Sequence, residues 1–156
     1  MRMVFVCSGN ICRSPMAAEY ARHRLASSGL SHVVVDSAGT LGIEGEPASA
    51  EAREVLREAG LDLIGHRSRG ITEGDLRTVD LVIVMALTHL QELERLSRSG
   101  TRKRYLLRAF EQGPEPHDGA PDLDDPIGAP IESYRSAFAV IRRCVDHLVL
   151  HLKHAR

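Results

Sequence analysis

Residues 7–14 read Cys-Ser-Gly-Asn-Ile-Cys-Arg-Ser. They follow a short apolar run, Met3–Val6, and they precede Pro15 and a helical pattern. This order predicts a strand, a loop and a helix, with Cys7 at the start of the loop and Arg13 at its end. Pro15 suits the first turn of such a helix, where its missing N–H is not needed.

The loop has the composition of a site for one tetrahedral anion. Its backbone N–H groups can point inward, the helix N-terminus adds partial positive charge, and a guanidinium binds two oxygens at once. A buried cysteine at a strand end is usually a small apolar residue, but the spacing of Arg13 and Ser14 favours a nucleophile. Ser14 can cap the helix and also hydrogen-bond a thiolate. The pattern therefore predicts phosphoryl transfer onto the sulfur of Cys7, with the phosphate held by Ser8, Gly9, Asn10, Ile11, Cys12 and Arg13.

Size and composition exclude several classes of protein. The 156 residues fit one domain, taken as residues 1–156, and contents of 43% hydrophobic and 26% charged residues are ordinary for a globular chain. A net charge of −1 gives no global field for nucleic acid or a membrane surface. No apolar run approaches the roughly 20 residues that cross a bilayer. Three cysteines, two of them in one loop, indicate a reducing, cytoplasmic compartment.

Short apolar runs alternate with helical patterns along the chain. The runs are read as buried parallel strands: Met3–Val6, Val33–Val35, Leu81–Val84 and Tyr105–Leu107. The alternation predicts an α/β fold, a three-layer sandwich in which helices flank a central parallel sheet of four strands. Ligands of such folds bind beyond the carboxyl ends of the strands. The loop that begins at Cys7 leaves the first strand at that end.

Helix boundaries follow from capping residues. Ser14 is expected to cap the first helix, and Thr88 with Gln91 resembles a capping box that opens a later one. Further helical segments are predicted over Ala48–Ala59 and, as a short turn, over Thr72–Leu76. The last helix begins near Pro130, and its apolar residues recur at spacings of three and four as one packing stripe: Ile131, Tyr134, Phe138, Ile141, Val145, Leu148 and Leu152.

A leaving alkoxide or phenoxide needs a proton, which an acid elsewhere in the chain must supply. The best candidate lies in the run Asp-Leu-Asp-Asp-Pro at residues 122–126, although an ordinary acidic surface turn has the same composition. Asp122, Asp124 and Asp125 repel one another when ionised, which favours a proton on one of them. The hypothesis is a bell-shaped pH profile of activity with a slightly acidic optimum, in which Cys7 is ionised and Asp125 is protonated.

Other features have competing interpretations. Cys12 is either a small filler or a redox partner that captures oxidised Cys7 as a disulfide. His147 and His151 have a spacing that a metal could use, but with His154 they are interpreted as exposed histidines beside the apolar stripe, and no metal is expected. A basic stretch is interpreted as a solvated face: Arg95, Arg98, Arg102, Lys103, Arg104 and Arg108.

Taken together, these residues resemble the bacterial type of the low-molecular-weight protein-tyrosine phosphatase family over essentially the whole chain. The agreement covers the opening strand, residues 7–15, the segment Asp36-Ser37-Ala38-Gly39, Gly65-His66 with Arg69, Asp80 before a strand that ends at Met85, and Asp125-Pro126. The resemblance implies that Cys7 forms a phosphocysteine. It implies that Arg13 binds phosphate and stabilises the transition state, and that Asp125 is the general acid and later the base.

The same resemblance implies supporting residues and partners. Asn10 would brace the loop with help from Ser37, Ser14 would stabilise the thiolate, and His66 would be a supporting partner. No metal and no cofactor are implied. The expected partner is a phosphorylated protein substrate, carrying phosphotyrosine, with no nucleic acid and no membrane, and the expected state is a monomer.

The chain departs from the family at the mouth of the site. Many members follow Asp-Pro with aromatic residues that wall the substrate ring, whereas Ile127-Gly128 stands here. The loop from Gly39 to Pro47 likewise offers only Leu41 and Ile43. Aliphatic contact is less directional than ring stacking, so the preferred substrate is open.

Alternative functions follow from this departure. One branch of the family looks like protein-arginine phosphatases and carries Thr at the position of Ile11, where a hydroxyl helps accommodate a guanidinium-linked phosphate. The apolar Ile11 favours an aryl ring instead. Arsenate reductases of the same fold relay oxidation through downstream cysteines, but the chain has none between Arg13 and Cys144, which lies in the last helix pattern. A module that binds phosphoproteins without turnover is the non-enzymatic alternative.

Overall fold

The computed structural model describes residues 1–97 and 103–155. One parallel sheet has the strand order β2-β1-β3-β4, formed by β1 Arg2–Cys7, β2 Val34–Gly39, β3 Leu81–Val84 and β4 Lys103–Leu106. The predicted four-stranded parallel sheet is confirmed. The last strand lies earlier than expected, because Leu107 is buried and begins a 3₁₀ turn, Leu107–Phe110. Arg98 and Arg102 of the basic stretch lie outside the described residues.

The helices are α1 Arg13–Ser27, α2 Ala50–Glu58, α3 Glu73–Thr78, α4 Leu87–Leu96 and α5 Ile131–His154. Two predicted caps are wrong. Helix α1 begins at Arg13, so Ser14 lies inside the helix, and its hydroxyl contacts Cys7 Sγ instead of capping. Helix α4 begins before Thr88, and the side chain that bonds its entry is His89, whose Nδ1 accepts from Ala86 N at 3.1 Å.

Alternate residues of β1 pack on opposite faces of the sheet, which produces the three layers. Met3 and Phe5 belong to a large apolar cluster with α1, α2 and α5, while Val4 and Val6 belong to a smaller cluster with Leu76 of α3 and Leu93 of α4. Helices therefore cover both faces, as a parallel sheet requires. The central strand β1 is buried on both sides and delivers Cys7 to the carboxyl edge of the sheet.

Helix α5 carries the predicted packing stripe, and the stripe residues from Tyr134 to Leu152 are buried. The prediction of exposed histidines is correct for His154 but wrong for His147 and His151, which are half-buried because they contact the 3₁₀ turn. His147 Nδ1 lies 2.6 Å from the carbonyl oxygen of Phe110, and the ring of His151 meets the ring of Phe110 edge-on. Within residues 1–97 and 103–155, no group of three or more His, Cys, Asp or Glu side chains could hold a metal ion. No helix in that part of the chain is long and apolar enough to cross a membrane.

The end of β2 is pressed against the loop that follows Cys7. Gly39 pairs with Cys7 in the sheet, Thr40 N donates to Cys7 O, and Leu41 N donates to Ser8 O, both at 3.0 Å. A Cβ added at Gly39 would lie 2.5 Å from Ser8 O and 3.1 Å from Asn10 N. Only glycine allows this close approach of two backbones.

Replacing Gly39 with alanine is expected to lower the free energy of unfolding by about 1–3 kcal/mol, because the clashing atoms are backbone and must move. The matched control is Gly113→Ala, where an added Cβ meets nothing within 4 Å. Urea unfolding measures both variants. Equal midpoints for the two variants would contradict the argument.

Candidate active site

The loop between β1 and α1 forms a bowl whose base is the sulfur of Cys7. The Cys7 side chain is buried, and Asn10 N donates to Cys7 Sγ at 3.3 Å. Ser14 Oγ lies 2.9 Å from the same sulfur. A backbone N–H and a hydroxyl thus converge on one buried sulfur, which favours a negative charge there.

Asn10 is the hub that holds the loop. It is fully buried and has a positive φ of 58°, a conformation that Asn adopts more readily than most residues. Its Nδ2 donates to Ser14 Oγ and Ser37 Oγ, each at 2.9 Å, and its Oδ1 accepts from Arg69 N at 3.0 Å. Because a backbone N–H can only donate, the amide orientation is settled. Ser14 Oγ therefore accepts from Asn10, and its own proton is available for the sulfur of Cys7.

His66 supports the loop from below. Its Nε2 lies 2.7 Å from the carbonyl oxygen of Asn10, which can only accept, so the proton resides on Nε2. Burial lowers the pKa of His66, and the nearby charges of Arg22 and Arg67 lower it further. The hydrogen bond to the carbonyl oxygen of Asn10 raises it, but the net shift is downward. His66 is therefore a neutral donor at neutral pH.

Arg69 links the hub to a buried carboxylate. Its Nη1 donates to Asp75 Oδ2 at 2.9 Å, and Thr72 N donates to the same oxygen at 2.9 Å. Burial raises the pKa of Asp75, but the hydrogen bonds from Arg69 and Thr72 outweigh it, so the net shift is downward. Arg2 of β1 binds the other oxygen at 3.2 Å. The loop is thus anchored through Asn10 to an ionic network beneath it.

Arg13 joins the bowl to residues 122–126, called the acidic loop below. Its side chain is only 5% exposed, its Nη1 donates to the carbonyl oxygen of Leu123 at 2.8 Å, and its Nη2 lies 3.3 Å from Asp125 Oδ2. Leu123 N in turn donates to Met85 O at 2.8 Å, at the end of β3. Leu123 thus fixes the acidic loop between Arg13 and the end of β3. Asp125, with 41% of its side chain exposed, lies beside Arg13 at the mouth of the bowl.

The three crowded carboxylates have different surroundings. Asp122 Oδ1 accepts from Leu87 N at 2.8 Å, at the N-terminus of α4, where a negative charge is favourable. Asp125 Oδ1 accepts from Ile127 N at 3.1 Å, while its other oxygen faces Arg13. Asp124 is exposed. Of the three, Asp125 is the one in contact with Arg13, and the proton assigned to it stays a prediction.

Cys12 lies behind the bowl in a polar pocket of its own. Its Sγ is 3.5 Å from both Ser49 Oγ and Tyr134 OH. Burial raises the pKa of Cys12, and it raises that of Tyr134 to about 12. Both cysteines of the loop are free thiols. Cys12 is held as a neutral thiol, and its redox partnership with Cys7 stays a prediction.

The mouth of the bowl is aliphatic. A Cβ added at Gly9 would lie 3.5 Å from Ile11 Cγ1 and 3.8 Å from Ile43 Cδ1, so both side chains lie beside Gly9. Leu41 and Ile127 are 65% and 55% exposed. Ser8, Gly9 and Ile11 are half-buried at the rim, as residues that contact a ligand must be.

Sequence reasoning missed two contributors to the site. His89, on the first turn of α4, contacts Ser8 Oγ through Nε2 at 2.9 Å. Its signal was present, since a polar residue just beyond the end of β3 lies at the carboxyl edge of the sheet, but the Thr88–Gln91 pattern was read as the cap. The other is the carbonyl oxygen of Leu123 that binds Arg13, and a backbone atom leaves no mark in a sequence pattern.

Comparison with known proteins agrees with this geometry. A family model described as low molecular weight phosphotyrosine protein phosphatase matches residues 2–156. The chain belongs to this family. The predicted family, and with it the predicted phosphatase class of enzyme, is confirmed.

Relatives of this low molecular weight phosphatase carry two kinds of name. It is 36% identical over 152 residues to a protein-arginine-phosphatase of Geobacillus stearothermophilus, covering 97% of this chain and 96% of the relative. It is 41% identical over 130 residues to a low molecular weight protein-tyrosine-phosphatase of Streptomyces coelicolor, covering 80% and 77%. A solved structure of the YwlE arginine phosphatase, a cysteine-to-serine mutant with a phosphorylated active site serine, matches with a TM-score of 0.91 and 29% identity, covering 100% and 98%.

The half-buried His66 and the buried His89 predict how stability depends on pH. The pKa values of His66 and His89 are lowered in the folded state, so the unfolded chain binds more protons below its ordinary His pKa of about 6.5. The free energy of unfolding is therefore expected to fall as pH decreases from about 7 to about 5. Asp75, whose pKa is lowered from 3.8, contributes only at lower pH.

Urea unfolding across this pH range measures the effect. The double variant His66→Gln/His89→Gln is expected to be less stable at neutral pH and to lose less stability on acidification. An unchanged slope in the double variant would contradict the assignment of both histidines as neutral groups.

Proposed function

We propose that this phosphatase hydrolyses phosphotyrosine in proteins through a phosphocysteine intermediate on Cys7. The observation that carries the proposal is the convergence of Asn10 N and Ser14 Oγ on Cys7 Sγ, beneath a loop closed by Arg13. That arrangement suits a thiolate facing a bound phosphoryl group. Asp125 lies beside Arg13 at the mouth, where a leaving oxygen would emerge.

The proposed reaction has two steps. In the first, the sulfur of Cys7 attacks phosphorus, the bond to the phenolic oxygen breaks, and Asp125 gives its proton to that oxygen. In the second, Asp125 takes a proton from water as the water oxygen attacks phosphorus. The S–P bond breaks, and inorganic phosphate and the Cys7 thiolate are released. Arg13 and the loop N–H groups stabilise the charge on the phosphoryl oxygens in both steps.

The aliphatic mouth supports an aromatic substrate. Ile11 and Ile43 lie beside Gly9, and two further aliphatic side chains are exposed: Leu41, which precedes Ile43 by two residues, and Ile127, which follows Asp125 by two. A phenyl ring buries more apolar surface against such a wall than a short serine side chain can. This favours phosphotyrosine over phosphoserine.

Phosphoarginine is the second candidate, and the names of two of the similar proteins support it. The structure matched at a TM-score of 0.91 is named an arginine phosphatase, as is the Geobacillus relative. Against it stands Ile11, which offers no hydroxyl to a guanidinium-linked phosphate. A relay of the arsenate reductase kind is unfavourable, because Cys144 is fully buried in α5 and burial raises its pKa to about 12.

Residues 1–156 are proposed to form one phosphatase domain acting on a phosphorylated protein as a monomer. Both apolar clusters share strand β1, which supports a single folding unit. The absence of nucleic acid and membrane partners, and the cytoplasmic location, stay predictions.

Substitution at the acid and the nucleophile tests the mechanism. Asp125→Asn is expected to lower kcat on a phosphotyrosine peptide by about 10²–10⁴-fold, because the proton donor is lost. Cys7→Ser is expected to bind inorganic phosphate and fail to turn over. The matched control is Asp124→Asn, an exposed neighbour that is expected to retain activity. Undiminished turnover of Asp125→Asn would contradict the role of Asp125 as the acid, and an absence of turnover in the wild type would favour a binding module.

A peptide panel tests the substrate. Phosphotyrosine is expected to give a higher kcat/KM than phosphoserine or phosphoarginine on matched peptides. Ile11→Thr is expected to move the ratio toward phosphoarginine by about tenfold or more, since it removes aliphatic contact and adds a hydroxyl. Val34→Thr, an isosteric change on an exposed residue at the amino end of β2, is the control. A wild-type preference for phosphoarginine would replace the first proposal with the second.

A further inference from the structure

A buried histidine outside the predicted site touches the phosphate loop. His89 is 1% exposed and lies on the first turn of α4. Its Nε2 is 2.9 Å from Ser8 Oγ, and its Nδ1 is 3.1 Å from Ala86 N. Ser8 follows the nucleophile directly, so the ring links the entry of α4 to the rim of the bowl.

The two contacts settle the tautomer of the ring. Ala86 N–H can only donate, so Nδ1 of His89 accepts and carries no proton. A neutral imidazole then has its proton on Nε2, and Nε2–H donates to Ser8 Oγ. With its oxygen already accepting from His89, the hydroxyl of Ser8 is left as a donor. The same direction of bonding means that His89 cannot take the proton of Ser8, so the pair is not a second nucleophile.

Burial is the main reason that the His89 ring is neutral. Burial lowers the pKa of His89 and the charge of Arg13 lowers it further, while Glu92, Asp122 and Asp125 act in the opposite direction. A proton on Nδ1 would also face Ala86 N–H and remove that hydrogen bond. Asp122 binds Leu87 N at the entry of α4, and the next residue, Leu123, accepts from Arg13 through its carbonyl oxygen, so the helix entry that carries His89 lies beside the acidic loop.

We propose that the Ser8 hydroxyl donates a hydrogen bond to the bound phosphoryl group and that His89 is the positioning residue that orients it. This rests on the proposed function, because it requires the loop to hold a phosphoryl group. The loop then offers a side-chain donor in addition to its backbone N–H groups and Arg13. A donor held in place before the ligand arrives costs no reorientation on binding.

Inorganic phosphate is the probe, since its binding is measured without turnover. Ser8→Ala is expected to weaken phosphate binding by about tenfold, the size of a hydrogen bond to a charged group. Ser8→Thr keeps the hydroxyl and is expected to restore most of the affinity. The control is His147→Asn, which removes a histidine of α5 bonded to Phe110 and is expected to leave binding unchanged.

Two substitutions of His89 separate its two contacts. His89→Asn places a carbonyl oxygen near the position of Nδ1, so it can still accept from Ala86 N, but it is too short to reach Ser8. His89→Gln reaches toward Ser8 with an amide N–H but leaves Ala86 N without that acceptor. His89→Asn is expected to weaken phosphate binding as Ser8→Ala does, and His89→Gln to bind more tightly than His89→Asn. The double variant Ser8→Ala/His89→Asn is expected to bind no more weakly than Ser8→Ala.

The tautomer has its own readout in the wild-type protein. Nitrogen NMR of the His89 ring is expected to show a protonated Nε2 and an unprotonated Nδ1 at neutral pH. A protonated Nδ1, or equal phosphate affinity of Ser8→Ala and wild type, would overturn the proposal. If His89 variants fail to fold, the Ser8→Ala and Ser8→Thr pair still decides it. Loss of the phosphotyrosine assignment would leave these phosphate measurements intact, so the two failures are distinguishable.

Discussion

The side chain of Asn10 is the contact on which the site depends. A loop that surrounds an anion must turn its N–H groups inward, and their mutual alignment is unfavourable without support from outside the loop. Asn10 supplies that support from a left-handed backbone conformation, with its amide bonded to Ser14, Ser37 and Arg69. Because its oxygen and both of its hydrogens are engaged in the interior, the loop has one shape. The position of Cys7 Sγ follows from that shape.

From Asn10, contacts lead to the sulfur of Cys7 and to the ionic network beneath the loop. Ser14 connects it to the sulfur, and Arg69 connects it to the buried carboxylate Asp75. On the opposite side, Arg13 binds the acidic loop through the carbonyl oxygen of Leu123. The guanidinium of Arg13, which would hold phosphate, therefore also anchors the acidic loop by a hydrogen bond. Asp125 lies on an exposed turn, and the contacts of Arg13 with Asp125 and with the buried Leu123 hold that turn in place.

Much of this architecture could be predicted from the chain alone. The buried runs gave the sheet, the stripe on the last helix gave its packing face, and the spacing of Cys7 and Arg13 indicated an anion loop. The errors were at helix entries. Ser14 was expected to cap α1 but bonds the sulfur, and Thr88 was expected to cap α4 where His89 does so. At α1 the Ser14 hydroxyl bonds a sulfur of the preceding loop, seven residues earlier. At α4 the side chain that bonds the helix entry belongs to His89, whose other ring nitrogen contacts Ser8, 81 residues away.

The order of residues 3–15 was enough to predict the strand, the loop and the helix, because these depend on neighbours along the chain, and the roles of Cys7 and Arg13 are predictions from the same stretch. The tertiary structure alone decided which of three aspartates faces Arg13, which way the amide of Asn10 points, and where the proton of His89 resides. Two of these depend on a group from another part of the fold, the guanidinium of Arg13 and the backbone N–H of Arg69, and the third depends on the backbone of Ala86 being folded into the entry of α4. Hydrogen-bond direction is a property of pairs, and the pairs form only when the chain is folded.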